Sequence, residues 1–295
     1  MFEKAIEIAG RFTRGIHLIS RNYQCDRIQT GTATLFFVNS EGWALTCRHV
    51  AEQFRIREQI NAKRQAFLEE FAKFHGQKKE RQLRRELERK HGYNKNVTYE
   101  LYDAFANCVE GPIEFEIKPH AILDVALIKF KNFTRLLGDS FPIFAKDGSG
   151  LKQGKFLCRL GFPFPEFTNF AYDAASDTIG WTDTGRKFTP QFPIEGMLTR
   201  HLLHESGQVV GFEMSTPGLR GQSGGPAFDS EGIVWGMQAA TNHLDLNFDV
   251  NQEVLRGGIL KQVKDNAFLH VGHCVHIDVL KSFMQSHGVQ FEEQK

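Results

Sequence analysis

Three short segments carry the side chains that serine-based hydrolysis requires. Residues 221–226 read Gly-Gln-Ser-Gly-Gly-Pro, which places a hydroxyl in a glycine-rich turn. His49 follows one apolar segment, and Asp124 precedes another. A serine hydroxyl is a weak nucleophile at neutral pH, so it needs a base to take its proton and a carboxylate to orient that base. The three segments therefore predict a catalytic triad.

Each member of the predicted triad has a separate role. Ser223 is the nucleophile, and His49 acts first as general base and then as general acid. Asp124 holds the tautomer of the histidine and stabilises its cation. Glycine lets the backbone turn two donors toward one point, so the amides of Gly221 and Ser223 are predicted to form an oxyanion hole.

The residues alone leave alternatives open. Ser223 could be an ordinary turn serine, and another of the twelve histidines could be the base. Asp103 and Glu116 are the nearest carboxylates that could replace Asp124. The glycines also satisfy Gly-x-Ser-x-Gly, the nucleophile motif of α/β-hydrolases, but that motif requires a helix directly after the serine and the order Ser, Asp, His. Turn residues follow Ser223 instead, and the order is His, Asp, Ser.

Together the three segments resemble the trypsin-like serine peptidases. Residues 221–226 match the family signature Gly-x-Ser-Gly-Gly-Pro, and residues 31–46 resemble the two strands that deliver the catalytic histidine. Residues 232–236 resemble the strand that follows the serine. The resemblance implies a mainly β fold of two antiparallel six-stranded β-barrels, with a helical insertion in the N-terminal barrel and a C-terminal helix.

The implied barrels divide the chain into two parts. The N-terminal barrel is expected over residues 1–135, with the insertion at about 51–110, and the C-terminal barrel and helix over 150–295. Alternation and turn residues predict strands, and helical spacing predicts helices. The predicted strands of the first part are 15–20, 32–38, 43–47, 113–117 and 122–130. The predicted helices of the chain are 2–9, 97–107 and 278–287, and residues 50–91 are predicted to form either one long helix or a helical hairpin.

The insertion is the main departure from the family pattern. His49 and Asp124 are 75 residues apart, where family members commonly have a few tens. Residues 61–95 carry eleven Lys or Arg against five Glu. Interleaved charges of this kind are typical of a solvated helix face. A regulatory protein partner that binds residues 51–110 is the main alternative, and the interleaving argues against nucleic acid.

The resemblance also assigns a substrate pocket. Pro217, six residues before the nucleophile, is expected at its base, where trypsin has Asp. This favours cleavage after an apolar or small residue, although Asp245 or Asp249, in an expected loop after the pocket strand, could supply a negative charge. One wall, which would also pair with the substrate backbone, is expected from the residues Gln238, Ala239, Ala240 and Thr241.

Gln222 stands where digestive members of the family have Asp. A glutamine cannot form the ion pair with a newly cut N-terminus that activates those enzymes, so activation by clipping is not expected. In this respect the chain is similar to the HtrA-type members. Those usually carry a PDZ domain after the peptidase, and the roughly seventy residues after Ser223 leave no room for one.

Composition and the N-terminal residues indicate where in the cell the protein is expected. Net charge is +1, and no run of eighteen apolar residues could span a membrane. The N-terminus carries acids where a signal peptide needs basic and then apolar residues. Five cysteines are odd in number and far apart, which suits a reducing compartment. We therefore expect a cytoplasmic protein.

The segment 270–276 contains three histidines and a cysteine and invites a metal hypothesis. On a strand, however, His270, Cys274 and His276 would face one side and His273 the other. Their spacing matches no standard zinc pattern. We expect no metal and no cofactor.

These observations predict an intracellular serine endopeptidase that hydrolyses peptide bonds through an acyl-enzyme. An unregulated endopeptidase would damage a cell, so regulation and a specific protein target are expected. Family analogy suggests bacterial stress or defence as the setting. The alternative is a catalytically silent scaffold with a peptidase fold that binds a protein partner.

Overall fold

The computed structural model describes residues 2–74, 76 and 79–295. Its helices within these residues are α1 Glu3–Phe12, α2 Arg48–Ala72, α3 Glu80–Lys90 and α4 Ile277–Ser286. Its strands are β1 Thr13–Asn22, β2 Gln29–Phe37, β3 Trp43–Thr46, β4 Thr98–Phe105, β5 Val109–Glu110, β6 Glu114–Pro119, β7 Ala126–Lys131, β8 Arg135–Leu136, β9 Ile143–Phe144, β10 Phe156–Gly161, β11 Phe170–Asp173, β12 Thr178–Trp181, β13 Phe192–Leu203, β14 Val209–Met214, β15 Pro226–Phe228, β16 Val234–Arg256, β17 Ile259–His276 and β18 Glu292–Glu293. The predicted mainly β fold is confirmed.

The N-terminal half forms a six-stranded sheet in the order β4-β1-β2-β3-β7-β6. All neighbours in this sheet are antiparallel. Leu35, Phe36 and Phe37 of β2 are buried, as are Leu127 and Ile128 of β7. Burial of these apolar side chains stabilises the sheet whose strands β3 and β7 lead to His49 and away from Asp124.

The C-terminal half contains a closed barrel. Strands β15, β10, β13, β14, β17 and β16 pair in that order, and β16 pairs again with β15. Each of these pairs is antiparallel, which agrees with the predicted six-stranded barrel. Two short strands, β9 and β18, extend the sheet through parallel pairing beside β16. The helix α4 after the barrel was also predicted.

The helix predicted at 97–107 is wrong. Residues 98–105 form β4, which pairs with β1 in the first sheet. Tyr99 and Leu101 are both buried, and their spacing of two places them on one face of a strand, whereas on a helix they would lie on opposite sides. The outer edge of β4 is closed by α2, because the side chain of Asn61 donates to Leu101 O at 2.8 Å and accepts from Leu101 N at 3.2 Å.

Helices α2 and α3 make up the helical part of the insertion. α2 has 25 residues and is strongly charged, and no helix in the described parts of the chain is long and apolar enough to cross a membrane. The two helices pack on the first sheet through a separate apolar cluster. Its buried members are Tyr23, Phe67, Leu87, Tyr93 and Tyr99. Most of the charged residues of the insertion therefore point away from this cluster, as the interleaved sequence predicts.

A buried charge network connects the insertion to both halves of the molecule. Glu100 of β4 is fully buried and pairs with Arg21 of β1 and with Arg64 of α2, the latter at 3.2 Å. It also accepts from Ile179 N of β12 at 3.2 Å. Arg21 reaches Asp177 at 2.9 Å. The carboxylate of Glu100 thus joins β1, α2 and the β11–β12 hairpin.

We predict that Glu100→Gln lowers the free energy of unfolding by about 3 kcal/mol, because the substitution leaves two guanidinium groups without their buried counter-ion. Urea unfolding followed by circular dichroism measures the change. Asp183→Asn, which removes only an exposed pair with Lys187, is the control and should leave the midpoint unchanged. Equal midpoints for the two variants would contradict the role given to Glu100.

Candidate active site

Antiparallel pairing of β3 with β7 brings His49 and Asp124 together. Thr46 lies opposite Ala126, so the residues just beyond these strand ends are neighbours. His49 lies in the first turn of α2, and Asp124 precedes β7. One carboxylate oxygen of Asp124 accepts from His49 N at 2.9 Å, and the other lies 2.7 Å from His49 Nδ1. The carboxylate thus fixes both the backbone and the ring of the histidine.

The charge of Asp124 sets the tautomer of His49. Burial raises the pKa of Asp124, but hydrogen bonds from the His49 side chain and backbone outweigh it, so this pKa lies below the ordinary value. An ionised carboxylate accepts only, so Nδ1 of His49 carries the proton. Nε2 is then free to accept a proton, and the ring is half exposed. The pair has the properties of a general base and its orienting acid.

The turn around Ser223 depends on three glycines. Gly221 and Gly224 have φ of +98° and +89°, a region that favours glycine. A Cβ on Gly221 would lie 2.4 Å from Phe162 O, and one on Gly224 would lie 2.1 Å from Thr34 O. A Cβ on Gly225 would lie 2.0 Å from Leu160 O. The three glycines therefore allow neighbouring backbone carbonyls to lie closer to the serine turn than any other residue type would permit.

Strand β2 of the first half holds the serine turn of the second half. Thr34 N donates to Ser223 O at 3.0 Å, and Thr34 Oγ1 donates to Gly221 O at 2.6 Å. Thr46 Oγ1 in turn donates to Thr34 O at 2.7 Å. From the other side, Gly224 N donates to Gln238 O at 2.8 Å. We call the bonds made by Thr34 and Thr46 the threonine clamp.

The nucleophile itself is not yet bonded to the base. Ser223 Oγ donates to Ala239 O at 3.2 Å, and over the described residues it forms no hydrogen bond with His49. Rotation about one side-chain bond would redirect the hydroxyl. Within the same residues, neither Gly221 N nor Ser223 N donates to a protein acceptor, so both amides are available to an oxyanion. Catalytic hydrogen bonds are often loose before substrate binds.

Gln222 supports the turn from inside the barrel. Its side chain is buried, donates to Phe192 O at 3.1 Å and accepts from Leu219 N at 3.1 Å. Both ends of the amide are therefore satisfied by backbone groups. A neutral residue holds the turn here without any ion pair, in keeping with the expectation drawn from the sequence.

Comparisons with known proteins agree with this geometry. A family model described as a trypsin-like peptidase domain matches residues 31–237, which is more than half of the chain and includes all three predicted triad residues. The chain belongs to the trypsin-like peptidase family. No curated protein matched this peptidase.

A solved structure titled "HtrA-type protease AlgW with decapeptide" is similar to the peptidase, with a TM-score of 0.50. The similarity covers 97% of this chain and 67% of the AlgW chain, and sequence identity is 12%. At that identity the similarity concerns the fold alone.

The carboxylates named as alternatives to Asp124 lie in other interactions of the peptidase. Asp103 pairs with Arg57 at 2.6 Å. Glu116 pairs with Lys118 and, at 2.7 Å, with Lys131. The structure thus brings Asp124, and neither of these, to His49.

The predicted pocket residues lie on two facing segments. The backbone of Pro217 adjoins the serine turn, and Gln238, Ala239, Ala240 and Thr241 lie on β16. Thr241 Oγ1 donates to Gly218 O at 2.6 Å, which joins the two segments. The loop expected around Asp245 and Asp249 is wrong, because β16 continues to Arg256 and pairs with β17 on both sides of an irregularity between these two residues.

Cys47 adjoins the His49–Asp124 pair. Ligand atoms of the three residues lie within 4.8 Å of one another, a spacing that could hold a metal ion. However, burial, aided by the nearby Asp124 carboxylate, raises the pKa of the Cys47 thiol well above its ordinary value. Its Sγ donates to Gln238 O at 3.3 Å. Because metals bind the thiolate, this neutral thiol suits packing rather than metal binding.

The loop before Asp124 has two supports that sequence reasoning missed. Arg48 Nη1 donates to His120 O and Ala121 O, at 3.3 and 2.7 Å. His120 Nδ1 accepts from Ile122 N at 3.1 Å and from Leu123 N at 2.9 Å. The Arg48 contacts span 72 and 73 residues of sequence, and the His120 contacts lie within one turn. No sequence motif marks either support.

His120 must be neutral to accept these bonds. Burial lowers the pKa of His120 below its ordinary value of about 6.5, and electrostatic repulsion from Arg48 and His287 lowers this pKa further. The acceptor is therefore retained at neutral pH and is lost only on acidification, when the folded-state pKa is crossed.

Substitution of Gly224 tests the close packing of the serine turn. Gly224→Ala should abolish reaction of Ser223 with a fluorophosphonate, because the new Cβ collides with Thr34 O. Gly154→Ala is the matched control, since Gly154 has φ of +85° but no atom of the described residues within 4 Å of an added Cβ. It shares the backbone strain without the collision, so it should still react. Equal reactivity of the two variants would contradict the packing argument.

Loss of the His120 acceptor should disturb Asp124. We predict that His120→Leu slows phosphonylation of Ser223 about tenfold at neutral pH, because two loop amides lose their acceptor. His120→Asn retains an acceptor oxygen and should restore most of the rate. Stopped-flow labelling measures both rates. A leucine variant as fast as wild type would show that the loop does not need this support.

Proposed function

We propose that this peptidase is an active serine endopeptidase that cleaves protein substrates through an acyl-enzyme on Ser223. The observation that carries the proposal is the His49–Asp124 pair, joined by two hydrogen bonds, together with a glycine-rich serine turn in which the amides of Gly221 and Ser223 have no acceptor among the described residues. These are the nucleophile, base, orienting acid and oxyanion donors that acyl transfer requires.

The chemistry follows from the geometry. Ser223 Oγ attacks the scissile carbonyl carbon while His49 Nε2 takes its proton, and Asp124 stabilises the imidazolium. The amides of Gly221 and Ser223 bind the oxygen as it becomes negative. His49 then donates the proton to the leaving amine, and the acyl group stays on Ser223. Water activated by His49 hydrolyses this ester.

We propose in addition that the enzyme is regulated, and that a protein partner acts through the insertion. α2 carries His49 in its first turn and packs against α3 at its other end. A protein that binds these helices and shifts α2 therefore also shifts the catalytic base. The cytoplasm is the proposed location, supported by five cysteines that are all free thiols. Specific cleavage of one protein target, in a setting such as bacterial stress or defence, is proposed on family analogy alone.

A silent scaffold is the second candidate. One observation favours it: the Ser223 hydroxyl bonds Ala239 O rather than His49. On this alternative, the cleft would hold a peptide segment of a partner without cleaving it.

Active-site labelling separates the two candidates. Wild-type protein should react with a fluorophosphonate probe, while Ser223→Ala should not react and His49→Ala should react at least about 10³-fold more slowly. His204→Ala, at an exposed histidine bonded to Ser206, is the control and should react like wild type. Failure of wild type to react, alone or after addition of cell extract, would refute the peptidase proposal in favour of the scaffold.

A further inference from the structure

Arg159 of β10 is a buried cation that has no counter-ion in the described part of the chain. Its side chain is fully buried, and among the described residues no carboxylate pairs with it. Nη1 donates to Gln238 Oε1 at 2.6 Å; Nη2 donates to Thr216 Oγ1, Thr216 O and Pro217 O at 2.6, 3.0 and 3.1 Å. Nε has no partner in the described chain. Isolated buried charge is costly, so this arrangement calls for an anion.

The guanidinium lies directly behind the walls of the predicted substrate pocket. We define the pocket walls as residues 216–220 and 238–241. Two of the acceptors of Arg159, the carbonyls of Thr216 and Pro217, belong to the first wall. Behind them, Gly272 of β17 leaves room for the guanidinium, since a Cβ there would lie 1.9 Å from Nη1.

Arg159 also orients a donor in the second wall. Because Gln238 Oε1 accepts from Arg159, its Nε2 points the other way, where it donates to Ala240 O at 2.6 Å. The same nitrogen lies against Gly218, whose added Cβ would be 2.2 Å from it. Thr241 Oγ1 donates to Gly218 O. Two side-chain donors therefore lie between the walls, and their acceptors among the described residues are backbone carbonyls.

Nearby acids do not neutralise the positive charge. Glu213 is buried but is paired with Arg200 and accepts from Asn242 at 2.7 Å. Asp124 is engaged by His49. A second cation, Arg220, is exposed in the first wall and forms no ion pair with any residue that the structure describes.

We propose that the pocket accepts an acidic side chain, so that the peptidase cleaves after Glu or Asp. The inference rests on the proposed function, because it names the substrate class of that same site. The substrate carboxylate replaces Ala240 O and Gly218 O as acceptor of the Gln238 and Thr241 donors. Its charge is stabilised by Arg159, to which Gln238 links it.

This assignment differs from the preference for apolar or small residues that the sequence suggested. That expectation used Pro217 alone at the base of the pocket. The charge comes instead from Arg159, 64 residues before the nucleophile and on another strand. Only the closed barrel places β10 behind the pocket walls.

Paired peptides test the inference, since Glu and Gln, or Asp and Asn, differ in charge but hardly in shape. In an otherwise fixed sequence, wild-type kcat/KM should be at least about tenfold higher for Glu than for Gln, and higher for Asp than for Asn. Peptides with Leu and Lys at the same position complete the set. Equal rates for Glu and Gln, or faster cleavage after Leu or Lys, would overturn the inference.

Two variants locate the source of the preference. Arg159→Met keeps the side-chain length but removes the charge, so the ratio of kcat/KM for the Glu peptide to that for the Gln peptide should fall close to one. Arg159→Lys keeps the charge and should retain part of the preference for Glu. Thr241→Val removes one donor nearer the surface and should reduce the ratio even if Arg159→Met does not fold. Arg186→Gln removes an exposed arginine paired with Glu166, and as control it should leave the ratio unchanged.

Reaction with a neutral fluorophosphonate separates this inference from the proposed function. A wild-type protein that reacts at Ser223 but prefers Gln or Leu has the proposed activity and a different pocket. If the Arg159 variants react with the probe and keep the wild-type Glu to Gln ratio of kcat/KM, Arg159 is not the source of the preference. A wild-type protein that neither reacts nor cleaves any peptide refutes both proposals together.

Discussion

The threonine clamp is the interaction on which the site depends. The base and its carboxylate follow and precede strands of the N-terminal half, whereas the nucleophile and the oxyanion amides belong to the C-terminal half. Thr34 bonds the backbone on both sides of the serine turn, through Ser223 O and Gly221 O. Since a misplacement of about 1 Å can cost 10²-fold in rate, the two halves need such a fixed register.

The buried charges of the molecule fall into two kinds. Glu100 is matched by two arginines, and its network holds α2 and the β11–β12 hairpin to the first sheet. The acceptors of Arg159 among the described residues are all neutral. A buried ion that is paired with an opposite charge of the protein contributes to structure. An unpaired one at a pocket wall is stabilised when a ligand of opposite charge binds. The arginines beside Glu100 thus hold the fold together, whereas the buried Arg159 acts on the substrate pocket.

Sequence reasoning reached the parts of the site that local patterns encode. The serine turn is visible because close packing permits only glycine at several adjacent positions, and His49 and Asp124 are visible because each adjoins an apolar strand. Strand β4 was missed, because it is defined by pairing with residues 16–22 of β1, which lie far away in sequence. Thr34, His120 and Arg159 could not be found, because their roles come from contacts with residues distant in sequence or from loop geometry that no motif records.

The most direct test of the central claim is detection of the acyl-enzyme. The protein would be mixed with an activated peptide ester, quenched in acid and analysed by intact mass spectrometry, with the modified residue mapped by fragmentation. The account predicts a mass increase equal to the acyl group, located on Ser223, in wild type and not in His49→Ala. An acyl group on another residue such as Cys25, or equal acylation of both proteins, would contradict it.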